Sequence, residues 1–243
     1  MIPWPASPAE LPRLDRTVHV WAVRLDDATV DLDRGRKLLS SEEHERAARF
    51  HFEQHRRRYE ISHIALHKIL SGYLQIDPAR LYFDLGANGK PKLPASLAAS
   101  GVDFNLSHSN EMALLAVTAS GEVGVDIEFV KPNFQFQEIA ERFFTAKEVA
   151  ALRRLPADLQ RQAFFKCWTS KEAFLKAKGT GLSGKLDEVE IDLSAAGLVR
   201  IDADVPGWSL AELIFNSEYQ AALVTQEKPK TIRCYMWHAA TSV

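Results

Sequence analysis

The chain has 243 residues, 46% of them apolar, which is ample for one large packed domain or two small ones. Its formal charge of −2 argues against a general nucleic-acid binder, whose domain would be basic. The two cysteines, Cys167 and Cys234, lie far apart and form no C-x-x-C, so neither a disulfide framework nor a zinc site is expected. The start, MIPWPASPAELPRL, is proline-rich and has neither the basic n-region nor the apolar h-region of a signal peptide. No later stretch reaches the roughly 18 apolar residues of a spanning helix, so the expectation is a cytoplasmic protein with no membrane contact.

A first strand is predicted over residues 19–25. Ser40-Ser41-Glu42-Glu43 then offers a capping box for a helix through Phe50. A second helix, residues 54–73, carries Ile61, Ala65, Ile69 and Gly72 along one face, and Arg58 shares that face in the first turns. A cation there opposes the helix dipole unless an anion joins it, which makes Arg58 a phosphate-site candidate. The run Arg56-Arg57-Arg58 also reads as a solvated basic face. His63 and His67 are spaced i, i+4 but have no H-E-x-x-H pattern and no third ligand, and are read as helix surface. Gly86 to Pro91 is turn-rich and would link a strand at residues 81–83 to an extended segment, with Lys90 able to reach an anion from the turn. Phe104-Asn105-Leu106-Ser107-His108-Ser109 precedes an apolar strand over residues 112–117.

Val123-Gly124-Val125-Asp126-Ile127-Glu128 reads as an acidic strand. Side chains alternate, so Asp126 and Glu128 leave one face while Val123, Val125 and Ile127 leave the other. Thr145 and Glu148 make a second capping box, and a long helix follows over residues 157–177. At about 100° per residue, Phe164, Leu175, Trp168, Glu172, Phe165 and Lys176 fall within one arc of it, placing the charge of Glu172 inside an apolar stripe. Cys167, in the same helix, reads as a small packed residue. A buried cluster of Asp126, Glu128 and Glu172 would protonate unless a divalent cation joined it. Oxygen-only ligands favour Mg²⁺, with Mn²⁺ in second place, completed by waters and substrate phosphates. The plainer alternative is an exposed edge strand beside an i, i+4 pair of Glu172 with Lys176. Residues 179–185 fit G-x-x-x-x-G-K, but Leu186 stands where a P-loop needs Ser or Thr, and Gly179 is read as a helix C-cap.

The second half repeats the first in outline. Both have a capping box before a long helix, and Phe104-Asn105 ahead of Met112-Ala113-Leu114 is echoed by Phe215-Asn216 ahead of Tyr219 to Leu223. The period, about 110 residues, is too long for a solenoid. The expectation is an α+β fold of two similar halves, residues 1–121 and 122–243, about a pseudo-twofold axis. The acidic strand would lie near their seam, where ligand clefts are frequent.

GVDIE at 124–128 followed by WTSKEAFLK at 168–176 resembles the paired signature of the 4′-phosphopantetheinyl transferases, and the length resembles their surfactin-type branch. FNLSHS at 104–109, GKP at 89–91 and RFFT at 142–145 are similar to three further blocks of that family, in the expected order. The resemblance implies transfer of the 4′-phosphopantetheine group of coenzyme A to a serine of an apo acyl or peptidyl carrier protein, releasing adenosine 3′,5′-bisphosphate. It implies that Asp126, Glu128 and Glu172 hold Mg²⁺ against the diphosphate, and that Glu172 or a metal-bound water takes the serine proton. Lys176 would stabilise or protonate the leaving phosphate. Arg58, Lys90, Ser107 and His108 would anchor the nucleotide part, with Arg46 a further candidate. Members of the family often carry a lysine early in the first helix for the 3′-phosphate. Glu43 stands at that place here, which would pass the load to Arg46 or lower the affinity for coenzyme A. The internal duplication favours a monomer. Two other readings stay open, a Mg²⁺-dependent phosphohydrolase or nuclease and a silent carrier-binding module. The composition suggests no basic groove for a nuclease, and the presence of Glu172 and Lys176 speaks against silence.

Overall fold

The computed structural model describes residues 4–8, 10–86, 89–180, 186, 189–193 and 207–239. In chain order the elements are β1 (Thr17–Arg24), α1 (Leu32–Gly35), α2 (Ser41–Ala48), α3 (Glu53–Leu74), β2 (Asp84–Leu85), β3 (Pro91–Lys92), β4 (Asp103–Ser109), β5 (Met112–Thr118) and β6 (Val123–Phe129). There follow α4 (Gln137–Phe143), α5 (Ala146–Arg154), α6 (Ala157–Lys178), β7 (Trp208–Glu212), β8 (Tyr219–Gln226) and β9 (Thr231–Met236). The larger sheet runs β4-β5-β1-β9, the smaller β6-β8-β7, and β2 pairs only with β3.

The alternation of side chains decides how these sheets stack. Strands β1 and β5 are apolar on both faces. Trp21, Val23, Leu115 and Val117 on one face meet α3 through Ile61, Ala65 and Ile69. Val18, Val20, Leu114 and Ala116 on the other meet Val123, Val125, Ile127 and Leu223 of the second sheet. That sheet turns its remaining face, Ala222 and Val224, to α6 through Ala173 and Ala177. The result is four layers, α3, sheet, sheet and α6, each helix covering the outer face of its own sheet. The larger sheet draws on both ends of the chain, because β9 crosses back to pair with β1 in parallel, Val20 opposite Cys234.

Both capping boxes form as expected, Ser40 with Glu43 and Thr145 with Glu148, and Gly179 closes α6 in the left-handed region at φ +67. Residues 181–185, the rest of the P-loop-like stretch, lie outside the described residues. Three local expectations are corrected. The strand expected at 81–83 starts later, at Asp84, because Leu81 turns into the core at 2% exposure directly after a 3₁₀ turn. The FNLSHS stretch is itself a strand, β4, antiparallel to β5. His63 and His67 are not helix surface, since both hydrogen-bond Glu43 of α2 and His67 has no exposed area.

Candidate active site

Along one side of the stacked sheets the edge strands β4 and β6, which belong to different sheets, are stitched together by side chains. Alternate residues of a strand project to one side, and on β4 these are Asp103, Asn105, Ser107 and Ser109. Asp103 Oδ2 accepts from the Val123 amide at 2.8 Å, Asn105 Oδ1 from the Val125 amide at 2.8 Å, and Ser109 Oγ from the Phe129 amide at 3.1 Å. Three edge amides of β6 are thereby satisfied without a backbone partner. The same serines turn their protons to the acids. Ser107 Oγ donates to Asp126 Oδ1 at 2.9 Å and Ser109 Oγ to Glu128 Oε2 at 2.8 Å.

From the other side α6 lies directly on β6 at Gly124. A Cβ there would fall 2.9 Å from Ala177 Cα and nearer still to the Ala173 carbonyl oxygen and the Ala177 nitrogen, so only glycine allows this approach. Glu172 and Lys176, one residue before Ala173 and Ala177, are set down beside the acidic strand by that contact. Lys176 Nζ donates to Asp126 Oδ1 at 2.6 Å and to Ser107 Oγ at 2.8 Å. The plainer alternative fails on two counts: Asp126 is buried at 3% exposure, and the ion pair of Lys176 is with Asp126.

The electrostatics are strained by design of the cluster. Burial first, then the charges of Asp126 and Glu128 against the opposing pull of Lys176, push Glu172 up to about 7. Burial followed by Asp126 also raises Glu128 above the ordinary glutamate value. Asp126 Oδ2 and Glu172 Oε1 are buried without a hydrogen-bond partner. Among the described residues no three acidic, histidine or cysteine side chains lie close enough to grip a metal by themselves. The site therefore offers oxygen donors that suit a hard cation whose coordination is finished by something else.

Adjoining the carboxylates is a cavity of about 450 Å³, lined by Arg58, Tyr59, His108, Ser109, Phe129 and Lys131 among others. Ser109 belongs to both places, since it lines the cavity and bonds Glu128. Arg58 points across the first turns of α3 and donates to Asn110 Oδ1 and Glu111 Oε1, each at 3.3 Å. Solvent reaches His108. Even so, desolvation by its neighbours, and then the charges of Lys176, His63 and Arg46, lower its pKa and favour the neutral ring. Arg46 lies 5.9 Å from the centre of the Tyr59 ring. The structure thus brings Arg46, Arg58, Ser107, His108, Asp126, Glu128, Glu172 and Lys176 into one region. It does not bring Lys90 there: its amine donates to the Val123 carbonyl at 3.0 Å and pairs with Asp103 at 3.6 Å, at the opposite end of β6 from Glu128. Sequence reasoning missed Gly124, Ser109, Lys131 and Tyr59. The period-two spacing of Asp103, Asn105, Ser107 and Ser109 was the available signal for the serine.

Comparison with known proteins gives a consistent picture. A family model described as "4′-phosphopantetheinyl transferase superfamily" matches residues 122–232, and one described as "4′-phosphopantetheinyl transferase, N-terminal" matches residues 28–120. The chain is 40% identical over 220 residues to the 4′-phosphopantetheinyl transferase HetI of Nostoc sp., covering 90% of this chain and 92% of the relative. It is 32% identical over 170 residues to the 4′-phosphopantetheinyl transferase Sfp of Bacillus subtilis, covering 70% and 73%. A human L-aminoadipate-semialdehyde dehydrogenase-phosphopantetheinyl transferase is 31% identical over 172 residues, covering 67% and 55%.

Proposed function

The chain belongs to the 4′-phosphopantetheinyl transferase superfamily, and from that premise we propose how its residues divide the work. The reaction moves the 4′-phosphopantetheine group of coenzyme A to a serine of a carrier protein. The serine oxygen attacks the β-phosphate, a phosphodiester forms, and the bond to adenosine 3′,5′-bisphosphate breaks. Nothing in the site favours a hydrolase or a silent module.

The observation that carries the assignment is the pair of buried, unpartnered oxygens, Asp126 Oδ2 and Glu172 Oε1, beside a glutamate of raised pKa. The unpartnered oxygens of Asp126 and Glu172, with Glu128 beside them, would hold Mg²⁺ together with the diphosphate and water, and the cation would supply neutralising charge there. Glu172, whose buried Oε1 has no hydrogen-bond partner among the described residues, takes the proton of the attacking serine. Lys176, oriented by Ser107 and Asp126, puts a positive charge and a proton within reach of the leaving phosphate. Arg58, His108 and Ser107 bind the nucleotide portion, and Arg46 takes the 3′-phosphate load. Lys90 is assigned to bracing the seam. An acyl or peptidyl carrier is the acceptor class, and the enzyme acts as a cytoplasmic monomer. Both cysteines are free thiols, in keeping with a reducing compartment. No helix among the described residues is long and apolar enough to cross a membrane.

The metal assignment has a test that needs no turnover. Because the folded-state pKa of Glu172 lies above the ordinary value of 4.5, the metal-free folded protein holds a proton that the unfolded chain has lost between about 4.5 and 7. Its contribution to stability therefore falls as pH rises through that window. A cation on the carboxylates reverses the effect, so Mg²⁺ should raise the melting temperature more at pH 8 than at pH 5.5, by about 2 °C or more. Asp126→Asn should remove most of the gain. An equal gain at both pH values, retained in Asp126→Asn, would place the ion elsewhere.

A further inference from the structure

Glu43, the residue standing where a phosphate-binding lysine is expected, is only 7% exposed and faces inward. Its Oε2 accepts from the Ser40 amide at 2.8 Å and from His67 Nε2 at 2.9 Å, and its Oε1 from His63 Nδ1 at 2.6 Å. His67 Nδ1 lies 3.0 Å from the Pro78 carbonyl. A carboxylate and a carbonyl only accept, so the wholly buried ring of His67 is held between two acceptors, Glu43 and the Pro78 carbonyl. Burial raises the pKa of Glu43, but the hydrogen bonds of the two histidines more than reverse this and hold it well below the usual carboxylate range. Breaking such a buried pair leaves an uncompensated charge, which makes it a firm anchor.

His63 carries this anchor outward. Its ring lies 4.1 Å from that of Tyr59, tilted at 31°, and Tyr59 lines the cavity next to Arg58. Phe50, also in the cavity wall, is 5.4 Å from Tyr59, and the Arg46 guanidinium lies over the same ring. We propose that Glu43 and His63 are positioning residues for the coenzyme: through the ring of Tyr59, packed against His63, they hold one wall of the cavity, and with it Arg46, in the geometry that receives the nucleotide. Glu43 itself touches no ligand. The proposal rests on the reading that this cavity binds coenzyme A.

The test is calorimetric titration of the full chain with coenzyme A and Mg²⁺, without carrier, on the wild type, His63→Ala, His63→Phe and Arg58→Ala, with circular dichroism as the check on folding. His63→Ala should weaken binding about threefold to tenfold, the range for one aromatic pair. The KM for coenzyme should rise in step while kcat at saturation falls by less than about twofold. His63→Phe, which returns a ring to Tyr59, should recover at least half of the lost affinity. Wild-type affinity in His63→Ala with weakened Arg58→Ala would overturn the positioning role alone. Wild-type affinity in both would instead remove the coenzyme from the cavity. Binding by His63→Phe no better than by His63→Ala would rule out the ring contact as the route.

Discussion

Glu172→Gln should lower turnover by at least roughly a hundredfold, the lower range for losing a positioned base, while the protein stays folded. The amide keeps the shape of the side chain but can neither take the serine proton nor lend a charge to a cation. Stability should move the other way. Burial and the neighbouring Asp126 and Glu128 already disfavour the ionised form of Glu172, so in metal-free protein at pH 8 the neutral amide relieves repulsion and the melting temperature should not fall. Activity lost with stability kept or raised separates a chemical role from a structural one. Retention of wild-type kcat would mean that another group removes the proton.

Gly124→Ala should be the most damaging small substitution in the chain. The new methyl group would meet backbone atoms of α6 at Ala173 and Ala177, all closer than 3.0 Å, and backbone cannot rotate aside as a side chain can. The helix must shift as a body. Overpacking of this kind costs about 3 kcal/mol at its upper end. The shift carries Glu172 and Lys176 away from Asp126 and Ser107, and a displacement of about 1 Å is enough for a loss near a hundredfold. Urea unfolding and carrier modification measured on the same preparation check both parts. An alanine variant with wild-type stability and rate would show that the strand and helix are not in the contact described.

These residues mark what could and could not be read from the chain. The acidic strand, both capping boxes and the long helix follow from spacing within a few residues, and the structure places α6 at Ala157–Lys178, within one residue of the expected span. The grouping of Asp126, Glu128, Glu172 and Lys176 was legible from a charge inside the apolar stripe of the helix and from the resemblance of GVDIE and WTSKEAFLK to a paired family signature. What was not legible depends on distant partners. The return of β9 to β1 pairs residues more than two hundred positions apart, Thr17 with Thr231, although the apolar alternation of Ile232, Cys234 and Met236 hinted at a strand. Glu43 satisfied a local capping motif, which hid its second duty toward His63 and His67 on another helix. Glu148 did the same, since besides capping α5 it pairs with the buried amine of Lys171 at 2.9 Å. Lys90 sits in the turn expected of it, yet the nearby Asp103 and the Val123 carbonyl hold its amine away from the cavity.

The most direct measurement is intact-mass spectrometry of an apo carrier protein incubated with this chain, coenzyme A and Mg²⁺, beside an EDTA control and the Glu172→Gln variant. A single phosphopantetheinyl mass on the carrier, present with metal and lost in both controls, is the expected result. Equal modification in the EDTA or Glu172→Gln sample would contradict the assigned site. Coenzyme A cleaved with every carrier of an acyl and peptidyl panel left unmodified would contradict the transfer itself.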